Sequence, residues 1–270
     1  ILAPPELHLL RFRDYESWRR GYPPAFASLV SLAEMVALPS DPASVASHFA
    51  GRSVEAIYEE LLERTGSGRF LVDKTPGNAH ATETLLRAER FRPLYVWLVR
   101  HPLGVALSRL ERHSEKRRAS RRPLARLKLP LYLARTWWRR RSGRELRDTL
   151  DRWTATHQRI ESFLASVDPA RKRVVHYEDL VHAPDSEIRG LCEFLGVEME
   201  PAMLDPSRNL PSGLQWGIGD EKIRMRTRID PSSADRWQDR FSEALLDEET
   251  AKLWARVRSP SVLQGVRADE

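Results

Sequence analysis

Residues 94–108 run Leu94-Tyr95-Val96-Trp97-Leu98-Val99-Arg100-His101-Pro102-Leu103-Gly104-Val105-Ala106-Leu107-Ser108. The first six form a continuous apolar run rich in aromatic and branched side chains, which indicates a buried strand. From Pro102 the pattern becomes helical, and proline suits the first turn of a helix, where its missing N–H would have no partner. The segment therefore predicts a buried strand that turns directly into a helix.

Two further apolar runs have the same organisation. They are Phe70-Leu71-Val72, with a helix expected over about 78–90, and Arg173-Val174-Val175-His176-Tyr177, with a helix expected over about 184–195 that ends at Gly196. Strands that alternate with helices indicate an α/β fold with a parallel sheet, whose functional groups lie at the carboxyl ends of the strands. A later helix is expected near 241–257.

The charge of the chain is concentrated in one segment. The 270 residues are 41% hydrophobic, enough for a folded core, and carry a formal charge of +6. Residues 109–147 hold 15 Lys and Arg against 3 Asp and Glu, a local +12, so the remainder is −6. The sequence predicts one domain over 1–270 with a basic insertion at about 109–147.

Several classes of protein are disfavoured by composition. Cys192 is the one cysteine, so neither an internal disulfide framework nor a cysteine-based zinc site is expected, and a cytoplasmic location fits. The sequence contains no run of about 18 apolar residues, so no membrane span is predicted. The histidines show no paired metal-ligand spacing, so we interpret them as structural and expect no metal.

Arg100 and Ser108 are the first candidate binding residues. An arginine at the end of a buried strand places its guanidinium at the mouth of the sheet, and Ser108 follows two helical turns later. A guanidinium matches phosphate oxygens in a bidentate manner, so the pair could hold a phosphate. The alternative is a structural arginine paired with a carboxylate and a helical serine bonded to its own backbone.

Three motifs in register resemble the sulfotransferases that use 3′-phosphoadenosine-5′-phosphosulfate (PAPS). Members carry an arginine followed eight residues later by a serine, both on the 3′-phosphate, and Arg100 and Ser108 have that spacing. The other two motifs are Asp73-Lys74-Thr75-Pro76, and Tyr177-Glu178-Asp179-Leu180 followed by Pro184 and Phe194-Leu195-Gly196. The resemblance implies a P-loop-nucleotide-hydrolase-like parallel sheet flanked by helices, with PAPS as co-substrate.

A fourth motif narrows the resemblance. Pro4-Pro5-Glu6-Leu7-His8-Leu9-Leu10 is similar to a stretch of the sulfotransferase domains embedded in bacterial polyketide synthases. The prolines favour an extended backbone, so Glu6 and His8 should share one face of it. A carboxylate beside an imidazole can act as a general base, and either residue could be that base. Without the resemblance, both would be interpreted as solvated side chains of an edge strand.

The resemblance also implies roles for Lys74 and Tyr177. It places Lys74 against the bridging oxygen of the phosphosulfate, where a cation stabilises the charge that develops on the departing phosphate. It places Tyr177 near the adenine. By residue type alone, Lys74 would be a solvated strand end and Tyr177 a core residue with its hydroxyl at the rim.

The chain departs from the family at three places. It lacks the Pro/Ala-Arg-Ser-Gly-Thr/Ser loop that cradles the 5′-phosphosulfate, so we expect that the first strand and this loop are missing from the chain. Gly213-Leu214-Gln215-Trp216 stands where several members have Gly-Val-His, and glutamine cannot act as acid or base. The stretch from Ser108 to Trp153 is longer than expected by on the order of 20 residues.

The predicted function is transfer of a sulfuryl group from PAPS to a hydroxyl, on a small molecule or on a hydroxyacyl chain bound to a carrier protein. Two alternatives are an inactive nucleotide-binding remnant and a basic module that binds nucleic acid through 109–147. For that segment, a solvated helix face or disordered insertion is the first interpretation, an acidic carrier protein as partner the second and nucleic acid the third.

Overall fold

The computed structural model describes residues 1–119, 143–205 and 229–259, with the backbone alone for 114–119. The fold is a helix-rich α/β arrangement, and the chain divides into two compact units. The first comprises Ile1–Pro93 with Pro201–Arg228, and the second comprises Leu94–Glu200 with Ile229–Glu270. Most of the basic insertion predicted at 109–147 lies outside the described residues, and the single domain over 1–270 stays a prediction.

The first unit is helical over its described residues. Its α-helices are α1 Tyr15–Gly21, α2 Phe26–Met35, α3 Pro42–Phe49, α4 Val54–Thr65 and α5 Thr82–Glu89. Asp14, Asp41 and Ser53 cap α1, α3 and α4, because each side chain accepts a free N–H of the first turn. The helices bury a shared apolar core that includes Leu7, Leu9, Trp18, Leu29, Leu32, Phe49, Ile57 and Leu61.

The predicted length of the strand at 70–72 is wrong, because the structure has only one bridge there. Leu71 forms a single parallel bridge with Leu2, made by Leu2 N–H to the Phe70 carbonyl at 2.7 Å and Val72 N–H to the Leu2 carbonyl at 2.8 Å. The ladder stops there because the prolines at positions 4 and 5 have no N–H to donate. The helix predicted over about 78–90 is also shorter, since a 3₁₀ turn at Pro76–His80 precedes α5.

The second unit contains the parallel sheet. Strands β1 Tyr95–Val99 and β2 Lys172–His176 pair in parallel, with Tyr95 opposite Lys172 and Val99 opposite His176. The α-helices are α6 Pro102–Ala119, α7 Arg144–Ala165, α8 Tyr177–His182, α9 Pro184–Leu195, α10 Ser232–Asp235 and α11 Glu248–Arg258. Helix α7 buries one stripe, comprising Thr149, Leu150, Trp153, Thr154, Phe163 and Leu164.

Sequence patterns placed the second unit well. The strands predicted at 94–99 and 173–177 are β1 and β2, and α9 begins and ends as expected, with Gly196 in the left-handed conformation after it at φ +66°. Two bounds were wrong. Tyr177 opens α8 instead of ending β2, and the helix expected near 241–257 begins only at Glu248, where Asp247 caps it.

Candidate active site

Glu6, His8 and Lys74 lie together in the first unit. The Nε2 atom of His8 is 3.1 Å from Oε2 of Glu6, and the Nζ atom of Lys74 is 3.6 Å from Oε1 of the same carboxylate. Glu6 therefore stands between an imidazole and an ammonium group. The three residues that the sequence nominated for chemistry form one cluster, although Lys74 lies 66 positions after His8 and 68 after Glu6.

The backbone of His8 differs from the extended conformation predicted for it. His8 has a φ of +55°, in the left-handed region that an L-residue with a side chain seldom occupies. Its contact with Glu6 thus arises from a turn and not from strand alternation. The ring stacks on Tyr22 with centroids 4.0 Å apart, and only 5% of the residue is exposed.

His8 is held as a neutral imidazole. Burial lowers its pKa below 6.5, and the opposing attraction of Glu6 is the smaller influence. A carboxylate can only accept, so the Nε2 atom that faces Glu6 carries the hydrogen and donates it. The Nδ1 atom is buried and has no hydrogen-bond partner among the described residues. It faces Gly77, where an added Cβ would lie 3.3 Å away.

The backbone around His8 is fixed by Thr75. The Thr75 hydroxyl accepts the N–H groups of Leu7 at 3.1 Å and His8 at 3.2 Å, and donates to Oδ1 of Asp73 at 2.5 Å. The second oxygen of Asp73 accepts from the Tyr58 hydroxyl at 2.5 Å and from the Asn78 amide at 3.0 Å. The motif Asp73-Lys74-Thr75-Pro76 suggested a role for Lys74 but none for Asp73 or Thr75.

Arg100, Ser108 and Tyr177 lie together in the second unit. Nη1 of Arg100 donates to the Ser108 hydroxyl at 2.9 Å, so the eight-residue spacing does bring the two side chains into contact. The guanidinium carbon of Arg100 lies 4.4 Å from the centre of the Tyr177 ring. This arrangement is a cation stacked on an aromatic face with a hydroxyl at its edge.

Ser233 completes this second cluster, and no sequence motif predicted it. Its carbonyl accepts from Nη2 of Arg100 at 2.7 Å, and its hydroxyl is 2.6 Å from that of Tyr177. Because the Ser233 hydroxyl donates its hydrogen to the Asp230 carbonyl, Tyr177 must be the donor to Ser233. No local pattern could have indicated a partner 133 positions from Arg100.

The surroundings of Arg100 suit an anionic ligand. Its Nε atom is buried and has no hydrogen-bond partner within the described ranges, while Nη1 and Nη2 make the contacts to Ser108 and Ser233. Its carbonyl accepts from the Trp153 indole at 3.0 Å, which fixes the backbone. Gly104 allows the close approach of α6, because a Cβ there would be 3.1 Å from Nε of Arg100. The terminal nitrogens of such a guanidinium can exchange a hydroxyl or carbonyl partner for phosphate oxygens.

Two histidines of the second unit are buried and make contacts within the fold. Burial lowers the pKa of His101 and of His157 to about 4. His101 stacks on Trp237 at 3.8 Å, and its Nδ1 accepts the N–H of Leu103 at the start of α6. Nδ1 of His157 accepts from the Trp97 indole at 2.9 Å.

The described residues contain neither a metal-binding group nor a membrane-spanning helix. No group of three or more His, Cys, Asp or Glu side chains in the described part of the chain could hold a metal ion. Within the same ranges, no helix is long and apolar enough to cross a membrane. Gly213-Leu214-Gln215-Trp216 lies outside the described residues.

Known proteins resemble the chain in sequence and in structure. A model described as "Sulfotransferase family" matches residues 11–201. The sulfotransferase domain from the curacin biosynthetic pathway has a TM-score of 0.73 and 25% identity, covering 94% of this chain and 87% of that one. The sulfotransferase domain from the Synechococcus PCC 7002 olefin synthase has a TM-score of 0.70 and 25% identity, covering 93% and 82%. No curated protein sequence matches the chain. The predicted resemblance and the α/β fold class with a parallel sheet are confirmed, and the absence of the first strand stays a prediction.

Proposed function

Because the chain belongs to the sulfotransferase family, we propose that it transfers a sulfuryl group from PAPS to a hydroxyl acceptor. The observation that carries the proposal is the Glu6 carboxylate held between the N–H of His8 and the ammonium of Lys74. That arrangement supplies a base and a cation side by side, which transfer of an anionic group to a hydroxyl requires.

Glu6 is the proposed base. His8 donates Nε2–H to Glu6 and buries its other nitrogen, so the imidazole orients the carboxylate and has no accessible lone pair of its own. The Glu6 side chain is 16% exposed, against 6% for His8. Glu6 takes the acceptor's proton while the acceptor oxygen bonds to sulfur. The bond from sulfur to the bridging phosphate oxygen breaks, and Lys74 stabilises the charge on the departing 3′-phosphoadenosine-5′-phosphate (PAP).

Arg100, Ser108 and Tyr177 are the proposed nucleotide contacts. The Arg100 guanidinium and the adjacent Ser108 hydroxyl support binding of the 3′-phosphate, and the Tyr177 ring supports contact with the adenosine. If a phosphate accepted hydrogen bonds from both terminal nitrogens of Arg100, the hydrogen bond from Nη2 to the Ser233 carbonyl would have to break. No Pro/Ala-Arg-Ser-Gly-Thr/Ser motif occurs in residues 1–270, so the contacts proposed for this chain are those to the 3′-phosphate and the adenosine.

A carrier-bound hydroxyacyl chain is the proposed acceptor. The support is the structural likeness to a domain from an olefin synthase, together with the local +12 of 109–147, which would attract an acidic carrier protein. Deletion of 113–147 should reduce transfer to a carrier-bound acceptor more than transfer to the same free acceptor. Equal losses would argue against docking through this segment.

Calorimetry with PAP on the full-length protein tests the donor assignment. Arg100→Lys keeps the positive charge but loses the bidentate guanidinium, so we expect PAP to bind roughly tenfold more weakly. The affinity for adenosine 5′-phosphate, which has no 3′-phosphate, should not change. Ser108→Ala should act in the same direction. An absence of PAP binding by the unaltered full-length protein would defeat the proposal and favour an inactive remnant.

A further inference from the structure

The Thr75 hydroxyl has no capacity left for a ligand. A threonine hydroxyl offers one hydrogen and two lone pairs. The hydrogen goes to the Asp73 carboxylate, and the two lone pairs take the consecutive N–H groups of Leu7 and His8. Thr75 is 6% exposed, so these three contacts define its environment. Any effect of Thr75 on a reaction must therefore be exerted through the residues that it holds.

The residues that it holds need an external constraint. His8 occupies the left-handed region, which persists in a residue with a side chain only where the surroundings over-determine it. Thr75 supplies two hydrogen bonds on one side of this turn, and the Trp18 indole donates to the Leu7 carbonyl at 2.8 Å on the other. The turn carries the Glu6–His8 contact, so its conformation decides where the carboxylate lies.

Asp73, which accepts the hydrogen bond from the Thr75 hydroxyl, also accepts one from helix α4. Asp73 accepts from Tyr58, whose pKa is raised far above 10 mainly by burial, so its hydroxyl stays protonated as a donor. Asn78 donates to the same carboxylate oxygen, and its N–H bonds to the Thr75 carbonyl at 3.0 Å. Residues 73–75 thus connect α4 to the turn at His8. The same tripeptide presents Lys74 to Glu6.

We infer that Thr75, anchored by Asp73, is a positioning residue that fixes Glu6 and His8 relative to Lys74. The inference rests on the proposed function, because it explains how the proposed base is oriented. It adds a role for a residue that touches neither donor nor acceptor.

Thr75→Val is the decisive variant, because valine keeps the shape and removes the hydroxyl. Thr75→Ser retains the hydroxyl, so its His8 titration and its rate of sulfuryl transfer should match those of the wild type. Thr65→Val is the matched control. Thr65 is 2% exposed in the same unit, and its hydroxyl makes one bond within α4, to the Leu61 carbonyl at 2.7 Å.

The first measurement is the titration of the His8 imidazole by NMR, which needs no turnover. The charges that act on His8 are those of Glu6, Arg11 and Asp73, and none is changed by the variant. In the wild type the pKa lies below 6.5. In Thr75→Val the turn relaxes and the ring gains water, so the pKa should rise towards 6.5. It should stay at the wild-type value in Thr75→Ser and Thr65→Val.

The second measurement is the rate of sulfuryl transfer by the full-length protein. A displacement of about 1 Å at the base lowers kcat by roughly 100-fold, while KM for PAPS stays close to wild type. An unchanged His8 titration and kcat in Thr75→Val would overturn the inference, as would an equal change in Thr65→Val. If Thr75→Val does not fold, Thr75→Cys, with its weakly accepting thiol, is judged by the same titration. Absence of transfer by the wild type would defeat the proposed function, and the titration would still decide the role of Thr75.

Discussion

Replacement of Lys74 by alanine separates catalysis from stability. The Lys74 side chain is 55% exposed, and its Nζ lies 3.6 Å from the Glu6 carboxylate. An exposed pair of this kind stabilises a fold by about 0–1 kcal/mol, so the unfolding temperature should fall by only a few degrees. A preorganised charge that meets a developing anion contributes about 2.7–4 kcal/mol to the transition state. Turnover should therefore fall by about two to three orders of magnitude.

The assay compares turnover, PAP affinity and thermal unfolding of Lys74→Ala with those of Lys252→Ala. Lys252 is a suitable control because it is also exposed and pairs with Glu248 at 2.5 Å in α11. The control should change none of the three quantities appreciably. Unchanged turnover in Lys74→Ala would remove Lys74 from the site. A loss of turnover that followed a loss of folded protein would refute the separation.

Two further predictions concern the second unit. Gly104→Ala places a Cβ 3.1 Å from Nε of Arg100 and 3.4 Å from the ring of Trp237, so PAP should bind roughly tenfold more weakly in calorimetry. The unfolding temperature should not fall, because alanine favours the helix by about 0.5–1 kcal/mol relative to glycine. An unchanged PAP affinity would contradict the steric argument. His101 and His157 have pKa values near 4 in the folded state, below the ordinary 6.5, so the unfolded chain binds more protons and stability is lost as pH falls from about 6.5 towards 4. Urea unfolding at pH 7.5 and pH 5 measures this loss, and equal midpoints would show that the two rings take up protons as easily when folded.

Local patterns predicted the elements that depend on local chemistry. The apolar run before Arg100 gave β1, and Gly196 gave the end of α9, because burial and a left-handed cap act over a few residues. Phe70–Val72 had the same apolar character and yet formed only a bridge. A strand needs a partner as well as a pattern, and the prolines after Leu2 and Ala3 deny it one.

Spacing and motif nominated candidate residues that do lie in contact, but they did not indicate contacts that the chain makes with distant positions. Arg100 and Ser108 meet because eight residues are about two helical turns. Glu6 and His8 meet through a left-handed turn, whereas the two prolines before them favour an extended backbone. Ser233 and Thr75 act through bonds to residues 133 and 67 positions away, so only the folded chain identifies them.

The pairing of β1 with β2 also governs how the second unit folds. Its first contact joins residue 95 to residue 172, so the sheet forms only after a long segment of chain has closed on itself. The entropy of that closure rises with the logarithm of length, and about 20 additional residues between the strands add only about 0.3 kcal/mol to it. An insertion of this length between the strands therefore changes the closure entropy of the sheet very little.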